Sequence, residues 1–333
     1  MTTAAATSSL SKFMFDGMAV RGVIVRISGE WQRLLQQRPP ETAFPAAVRR
    51  VLGEMTAASA LLQANIKFDG ALIMQLYGDG PLKLAVAEMQ SDLRCRATAK
   101  VSGPVAEEAG LAALANRHGV GRCAITLEPR DGARAAQSYQ GVVPLNDENG
   151  RSLDSIAGMI ELYMQQSEQL HSKLVLAADD ECAAGLLLQR LPLAGGRSHA
   201  PQALAHMAEL DAQAQDENFH RLSLLAASLK PEELLRLPTD EVLHRLFWEE
   251  PLRRLEMLSG PDGPRFSCTC SRERVGHMLQ TLGVAEVEDI VREQGRVEIS
   301  CEFCGKQYHF DPVDAAQLFV QGRDHPPASQ ELQ

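Results

Sequence analysis

Hydrophobic positions in the first half of the chain follow two different periods. Val20–Ile27 (VRGVIVRI) is rich in β-branched residues with partial alternation, which predicts a strand. In Ala46–Asn65 apolar residues recur at helical spacing, which predicts a helix. The turn at 78–81 (GDGP) separates two further predicted strands, 71–77 and 82–88.

The pattern continues without a regular βαβ alternation. Residues 124–128 and 141–145 predict short strands, and residues 155–170 predict a helix with one apolar face. Residues 1–193 are therefore predicted to form an α+β domain of mixed or antiparallel sheets with packed helices, rather than a doubly wound sheet.

The character of the chain changes after residue 193. Residues 193–198 (LAGGRS) predict a linker, and residues 203–256 have a helical pattern throughout. Residues 195–264 carry 12 acidic and 7 basic side chains and show no core of their own, so we expect them to lean on a neighbour. Phe247 and Trp248 are expected to pack against that neighbour in the resting state.

The sequence therefore predicts four segments: a core domain at 1–193, a helical, metastable linker at 194–264, a cysteine-rich domain at 265–324 and a disordered tail at 325–333.

Composition narrows the class of protein. The 333 residues carry a net charge of −10, which argues against a nucleic-acid partner. Residues 1–11 lack the pattern of a secretory signal, and no apolar run reaches the roughly 18 residues that a membrane span needs. We therefore expect a soluble, cytoplasmic protein. In that compartment seven cysteines indicate buried thiols, metal ligands or redox groups rather than static disulfides.

Four of the seven cysteines form two tight pairs. Cys268 and Cys270 form a C-x-C motif, and Cys301 and Cys304 form a C-x-x-C motif followed by Gly305. Two close pairs at this separation predict one tetrahedral zinc site closed by four thiolates, which leaves no position for a substrate. The alternative is that the four cysteines are buried structural thiols that bind no metal.

The surroundings of the motifs predict further structure. We expect a left-handed turn at Gly305, a hairpin of strands 297–300 and 308–310, a helix at 271–282 and a last helix between Pro312 and Gly322. His277 and His309 are conceivable substitute ligands, but His309 is expected to be an ordinary strand residue. The remaining thiols, Cys95, Cys123 and Cys182, are expected to be small buried hydrophobes.

Small size makes this zinc module sensitive to oxidation. A module of about 60 residues has a meagre core, and zinc can supply roughly 10–16 kcal/mol of its folding free energy. Peroxide oxidises thiolates towards disulfides, and either pair could close with little chain movement. Arg272, Arg274 and Lys306 are expected to moderate the charge of the site and tune its reactivity.

The same residues carry a family likeness. The segment 268–274 (CTCSRER) together with 301–305 closely resembles the redox switch of the thirty-three-kilodalton heat-shock protein family of chaperones. Shorter matching stretches keep their order along nearly the whole chain: 19–22, 67–70, 78–81, 139–143, 167–169, 183–185 and 232–235.

The resemblance implies a redox-regulated holdase that uses no ATP and is not an enzyme. Its reduced, zinc-bound form is inactive. Oxidation forms the disulfides Cys268–Cys270 and Cys301–Cys304 and releases zinc, after which switch and linker unfold and expose a surface for unfolding client proteins. The family also implies a homodimer on activation. The acidic charge of the chain and the lack of a membrane-length apolar run argue against a nucleic-acid or membrane partner.

Two other functions compete with this one. A thiol–disulfide oxidoreductase would place its C-x-x-C beside a βαβ unit, whereas here a second cysteine pair is available for ligation. A zinc-ribbon nucleic-acid-binding module is disfavoured because residues 265–324 hold 7 basic and 10 acidic side chains.

Overall fold

The computed structural model describes residues 7–130, 138–191 and 202–320, with side chains throughout except at 202–212 and 320. The chain divides into two compact units, Met1–Ser267 and Cys268–Gln333. The predicted linker at 193–198 and the predicted disordered tail at 325–333 lie outside the described residues.

The larger unit mixes helices and strands along the chain. Its helices are α1 Gly29–Gln36, α2 Ala46–Asn65, α3 Leu111–Ala115, α4 Ile156–Ser167, α5 Gln202–Ala227, α6 Pro231–Arg236 and α7 Thr239–Phe247. Its strands are β1 Ser9–Phe15, β2 Val20–Ile27, β3 Gly70–Tyr77, β4 Leu82–Gln90, β5 Arg94–Val101, β6 Arg122–Pro129, β7 Tyr139–Pro144, β8 Ser172–Ala178, β9 Ala183–Arg190, β10 Leu252–Ser259 and β11 Arg265–Phe266.

Within the described residues these strands form two sheets. The first has the order β10-β1-β2-β9-β8, and all of its pairs are antiparallel. The second has the order β11-β5-β4-β3-β6-β7 and is antiparallel except for the short parallel pair of β11 with β5. The predicted α+β class, with mixed and antiparallel sheets and packed helices, is confirmed.

Helix α2 lies in the main core and contacts strands of both sheets. Its residues from Ala47 to Gln63 are buried nearly all round, as expected for a helix without a solvated face.

Strand β2 shows that both faces of the first sheet are covered. Val23, Val25 and Ile27 join the core around α2, whereas Val20 and Ile24 join a second apolar cluster on the opposite face. Because successive side chains of a strand point to opposite faces, both faces of this sheet are buried.

The second cluster is built from helices α5, α6 and α7. Leu222, Leu234 and Phe247 are among its buried members, and Phe247 stacks edge-on against Phe15 with ring centroids 5.1 Å apart. The helical segment that was expected to need a neighbour therefore covers the outer face of the first sheet. Trp248 departs from the prediction, because 67% of its surface is exposed while Phe247 is 2% exposed.

Strand β10 corrects the prediction of helix throughout 203–256. Residues 252–259 pair with β1 in antiparallel register, from Ser9 opposite Ser259 to Phe15 opposite Leu252. The pattern misled because Leu252 and Leu255 have helical spacing, whereas the strand is imposed by a distant pairing partner. Such tertiary override of a local pattern is typical of edge strands with little burial.

The smaller unit contains helices α8 Arg272–Leu282, α9 Val284–Gln294 and α10 Pro312–Val320, with strands β12 Val297–Ser300 and β13 Gln307–Phe310. The two strands form an antiparallel hairpin, as predicted. Of the helices at 7–130, 138–191 and 202–320, none combines the length and apolarity that crossing a bilayer requires.

Candidate metal centre

The C-x-x-C motif forms the turn of the β12–β13 hairpin. The Gly305 N–H donates to the Cys301 carbonyl across 2.8 Å, and the Cys301 N–H donates to the Lys306 carbonyl across 2.9 Å. Gly305 has a φ of +66°, so the predicted left-handed turn is confirmed. This conformation suits glycine because it has no Cβ. The knuckle holds Cys301 and Cys304 on one side of the turn.

The C-x-C motif immediately precedes α8. Ser271 caps this helix, since its hydroxyl oxygen accepts a hydrogen bond from the Arg274 N–H across 3.2 Å. The Arg274 side chain reaches back and donates to the carbonyl and the hydroxyl of Thr269, at 3.2 and 2.9 Å. Thr269 lies between the two cysteines, so Arg274 fixes the backbone that presents them.

The two motifs bring four sulfur atoms together. The Sγ atoms of Cys268, Cys270, Cys301 and Cys304 all lie within 4.8 Å of one another. Two of the separations between the motifs are 3.7 Å, from Cys268 to Cys301, and 3.4 Å, from Cys270 to Cys304.

These separations match a tetrahedral metal site. Four sulfurs at the Zn–S distance of about 2.3 Å from one ion would be about 3.8 Å apart. The cluster could therefore hold a metal ion with little movement of the side chains. All four side chains are half-buried, as expected for a closed site rather than one open to a substrate.

Tyr308 contacts the cluster, and the sequence pattern did not reveal this role. Its hydroxyl donates a hydrogen bond to the Cys270 sulfur across 3.1 Å. Burial raises the pKa of the Cys270 thiol, but the hydrogen bonds from Tyr308 and from the neighbouring cysteines outweigh it and lower that pKa to about 7. The available signal was the alternation of β13, which places Tyr308 and Phe310 on the buried face.

The three basic residues near the motifs have mostly structural partners. The Arg272 side chain donates to the His309 carbonyl and to Asp314, and its guanidinium lies over the Phe310 ring at 4.2 Å. The Lys306 ammonium lies 5.3 Å from the centre of the Tyr308 ring. His309 is an exposed residue of β13, which confirms the prediction made for it. In the described part of the chain, the metal-type cluster comprises the four cysteines and no histidine.

The core around the cluster is small. Its buried members are Leu279, Val287, Val297, Tyr308, Phe310 and Ala315. Cys270 and Cys301 pack against this core, so the sulfur cluster continues the hydrophobic interior. A unit with so little buried apolar surface is marginal without a cross-link or a metal.

The other three cysteines lie in the larger unit and are buried, as predicted. Burial raises the pKa of Cys95 and of Cys123 to about 12, and it also raises the pKa of Cys182. Because the thiolate is the reactive form, these three groups are inert in the folded chain.

Comparison with known proteins agrees with this geometry. The family described as Hsp33 protein matches residues 8–311. A 33 kDa chaperonin of Chromobacterium violaceum is 46% identical over 310 residues, which cover 93% of this chain and 93% of that protein. A 33 kDa chaperonin of Neisseria meningitidis serogroup A is 42% identical over 311 residues, covering 93% of this chain and 90% of the relative.

A solved structure shows the same fold at greater sequence distance. The crystal structure of the 33 kDa chaperonin from Thermotoga maritima, a heat shock protein 33 homologue, matches with a TM-score of 0.70 at 21% identity. The match covers 95% of this chain and 98% of that one. Family match, close relatives and the four-cysteine cluster agree, and the chain belongs to the Hsp33 family of chaperones.

Proposed function

We propose that this chain is a redox-regulated holdase that works without ATP. In the reduced state Cys268, Cys270, Cys301 and Cys304 hold one zinc ion, and the protein is inactive. Oxidation of the four thiolates removes the ligands, and the small unit and the α5–α7 segment unfold to expose apolar surface. The single observation that carries the proposal is the cluster of four half-buried sulfurs in a small unit whose described part has six buried core residues.

Zinc suits the donor set better than other common ions. Thiolates are soft ligands, and a closed tetrahedral arrangement of four sulfurs is typical of structural zinc. When bound, zinc would keep the four thiols deprotonated and would cross-link the small unit. In small modules this binding contributes of the order of 10–16 kcal/mol of folding free energy. No position is left for a substrate, which supports a binding protein rather than an enzyme.

Oxidation consumes one peroxide for each disulfide. Two thiolates give up two electrons, the S–S bond forms, and peroxide takes up these electrons with two protons to leave two waters. We assign the pairs Cys268–Cys270 and Cys301–Cys304, because each pair is adjacent in sequence and family resemblance implies this pairing. Both bonds can form even after the small unit has lost its fold, since each ring spans only three or four residues.

The surface made available would come from the second apolar cluster. Helices α6 and α7 contribute Leu234, Leu235, Val242, Leu243 and Phe247 to it, and all five side chains are 8% exposed or less. Detachment of these helices would expose both their own apolar faces and the outer face of the first sheet. Large exposed apolar patches bind other proteins, so unfolding client proteins are the expected partners.

The remaining parts of the proposal follow the resemblance and the composition of the chain. We expect a homodimer on activation, a cytoplasmic location and no nucleic-acid or membrane partner. The acidic balance of the chain supports the absence of a nucleic-acid partner.

The test is aggregation of a thermally unfolding client, followed by light scattering. The reduced, zinc-loaded chain should leave aggregation unchanged, and the same chain after warm peroxide treatment should suppress it. A Cys301→Ser/Cys304→Ser variant isolates the switch, because it should lose zinc and therefore suppress aggregation before any peroxide treatment. Equal suppression by the reduced and oxidised wild type would refute the switch, and no suppression in either state would refute the holdase.

A further inference from the structure

A cavity of about 130 Å³ lies at one end of the main core of the larger unit. Its apolar walls come from α2, α4 and the second sheet, and include Leu62, Ile66, Leu72, Ile125, Leu127 and Met164. Nothing in the proposed chaperone cycle uses this space. An apolar cavity of about 150 Å³ holds a benzene ring, so the volume suits a group of roughly that size.

One wall of the cavity is polar and comes from the first sheet. Arg21 on β2 and Gln189 on β9 are directly paired in register and both line the cavity. The Gln189 side-chain oxygen accepts from Arg21 Nε at 3.1 Å and from a terminal guanidinium nitrogen at 2.5 Å. Both side chains continue the row of Val23 and Leu187, which face the main core.

The Arg21 charge has no carboxylate partner among the described residues. Its hydrogen bonds there go to a neutral amide, and burial lowers its pKa. A second donor beside the cavity is also unsatisfied: Asn65 Nδ2 is buried and has no hydrogen-bond partner in the described part of the chain. A half-buried cation without a carboxylate partner and a buried amide N–H without an acceptor favour a ligand that brings acceptor oxygens.

The carboxylate of Glu168 at the rim of the cavity already has hydrogen-bond partners. Glu168 accepts hydrogen bonds from the hydroxyls of Tyr163 and Tyr139, at 3.1 and 3.2 Å. Gly141 makes room for this arrangement, because a Cβ there would lie 2.7 Å from the Tyr163 ring. Arg21, Tyr139 and Glu168 belong to three of the short stretches quoted above for their likeness to the family, at 19–22, 139–143 and 167–169.

We propose that this cavity is a binding site for a small monocarboxylate with an apolar body, such as an aromatic acid of the size of benzoate. The ring would occupy the apolar space, and the carboxylate would accept from Arg21 and Asn65. The guanidinium is suited to this role because its planar fork matches carboxylate geometry. The inference rests on the larger unit alone and holds whether or not the chain is a redox-switched holdase.

The test is titration of the full-length, reduced, zinc-loaded chain with benzoate, followed by the NMR shifts of the Ile125 and Leu72 methyl groups. Benzyl alcohol has nearly the same shape without the charge and serves as the matched ligand. We expect saturable shifts with benzoate and a Kd of about 1 mM, which is a usual affinity for a ligand of nine heavy atoms. Benzyl alcohol should bind about tenfold more weakly or worse, since hydrogen bonds to charged groups are the stronger ones.

Two variants and one control locate the effect. Arg21→Gln should remove the preference for benzoate over benzyl alcohol. Leu127→Phe should weaken the binding of both ligands, because the larger side chain fills the cavity. Arg33→Gln should change neither, because the Arg33 side chain is 70% exposed on α1 and does not line the cavity. Equal binding of both ligands by the wild type would overturn the anion site. The absence of saturable shifts with either ligand would overturn the cavity as a site altogether. Because the first comparison uses wild type alone, a variant that fails to fold leaves the proposal testable.

Discussion

The Tyr308 hydroxyl donates a hydrogen bond to the sulfur of Cys270 across 3.1 Å. Outer partners of this kind commonly change metal affinity by tenfold to a hundredfold, roughly. We therefore expect Tyr308→Phe to weaken zinc binding by about tenfold or more while the buried ring keeps its packing. Competition with a chromophoric chelator measures the affinity. Tyr139→Phe in the larger unit is the matched control, and an unchanged zinc affinity in Tyr308→Phe would contradict the expectation.

The seven thiols should separate into two groups on alkylation. With zinc removed by a chelator the small unit should lose its fold, so iodoacetamide at neutral pH should label Cys268, Cys270, Cys301 and Cys304 quickly. The buried thiols Cys95, Cys123 and Cys182 should react only in denaturant. With a pKa of about 12, Cys95 and Cys123 are thiolates in only about one molecule in 10⁵ at pH 7. Mass spectrometry of pulse-labelled peptides reads this out, and labelling of any buried thiol at a comparable rate would speak against it.

Phe247 and Trp248 form a natural pair for testing the α5–α7 segment. They are adjacent aromatic residues, 2% and 67% exposed. Phe247→Ala should reduce the free energy of unfolding of the larger unit by about 3–5 kcal/mol, because it empties a buried site beside Phe13 and Phe15. Trp248→Ala should change it by less than about 0.5 kcal/mol.

The same pair tests the proposed exposure of apolar surface. If detachment of α7 creates a client-binding surface, Phe247→Ala should suppress client aggregation even when reduced and zinc-loaded. Trp248→Ala should stay inactive until oxidised. Light scattering measures both variants, and an inactive reduced Phe247→Ala chain that is shown by hydrogen exchange to have a detached α7 would count against this surface.

Gly141 is expected to resist even a single added methyl group. A Cβ there would meet the Tyr163 ring and hydroxyl at 2.7 Å. Gly141→Ala should therefore displace Tyr163 and reduce the free energy of unfolding by about 1–3 kcal/mol, the usual range for overpacking. Gly29→Ala is the control, because no atom lies within 4 Å of the added Cβ. Denaturant melts of the two variants make the comparison, and equal stability would refute the steric argument.

Glu54 on α2 should make stability depend on pH. Partial burial raises its pKa from 4.5 to about 7, with the charge of Arg50 opposing the change. A raised folded-state pKa means that the associated stability is complete below pH 4.5 and is lost as the pH rises through 7. Glu54→Gln should therefore be more stable than wild type at pH 8 and similar to it at pH 4.5. The difference should be a fraction of the roughly 3 kcal/mol that a fully expressed shift of this size carries.

Denaturant melts across this pH range measure the effect. Glu108→Gln provides the control, because that side chain is 91% exposed and lies 3.9 Å from Arg50 in the same neighbourhood. Parallel pH profiles for wild type and Glu54→Gln would show that Glu54 does not titrate in this range.

Sequence patterns predicted the elements whose own residues carry a strong period. Val20–Ile27 and Ala46–Asn65 have the predicted bounds, and α8 ends at Leu282 as expected. Strand β9 was missed because it is buried on both faces, so its pattern BBBBBBBi contains no alternation to detect. Strand β10 was missed for the opposite reason: it is exposed, and pairing with β1 determines it.

The cysteine cluster was predictable because two short spacings define it. The Tyr308 contact was beyond local spacing, because it joins a residue of the hairpin to a cysteine 38 positions away that lies outside the hairpin. The cavity was beyond sequence reasoning, since Arg21 and Gln189 are 168 positions apart and meet only through the β2–β9 pairing. Local spacing thus located the cysteines, and long-range topology supplied their surroundings.

Ser267 ends the larger unit, and its backbone N–H donates to the Cys95 carbonyl across 2.9 Å. Cys268, the first residue of the sulfur cluster, follows after a single peptide bond. No linker residues therefore separate Ser267 from Cys268, whose Cα atoms are only about 3.8 Å apart. If Cys268 moves farther than one peptide bond allows, the hydrogen bond from Ser267 to the Cys95 carbonyl must break first. The pairing of β11 with β5 must then break as well. Mechanical load at the cysteines is thereby delivered to one edge of the second sheet instead of being dissipated in a loose tether.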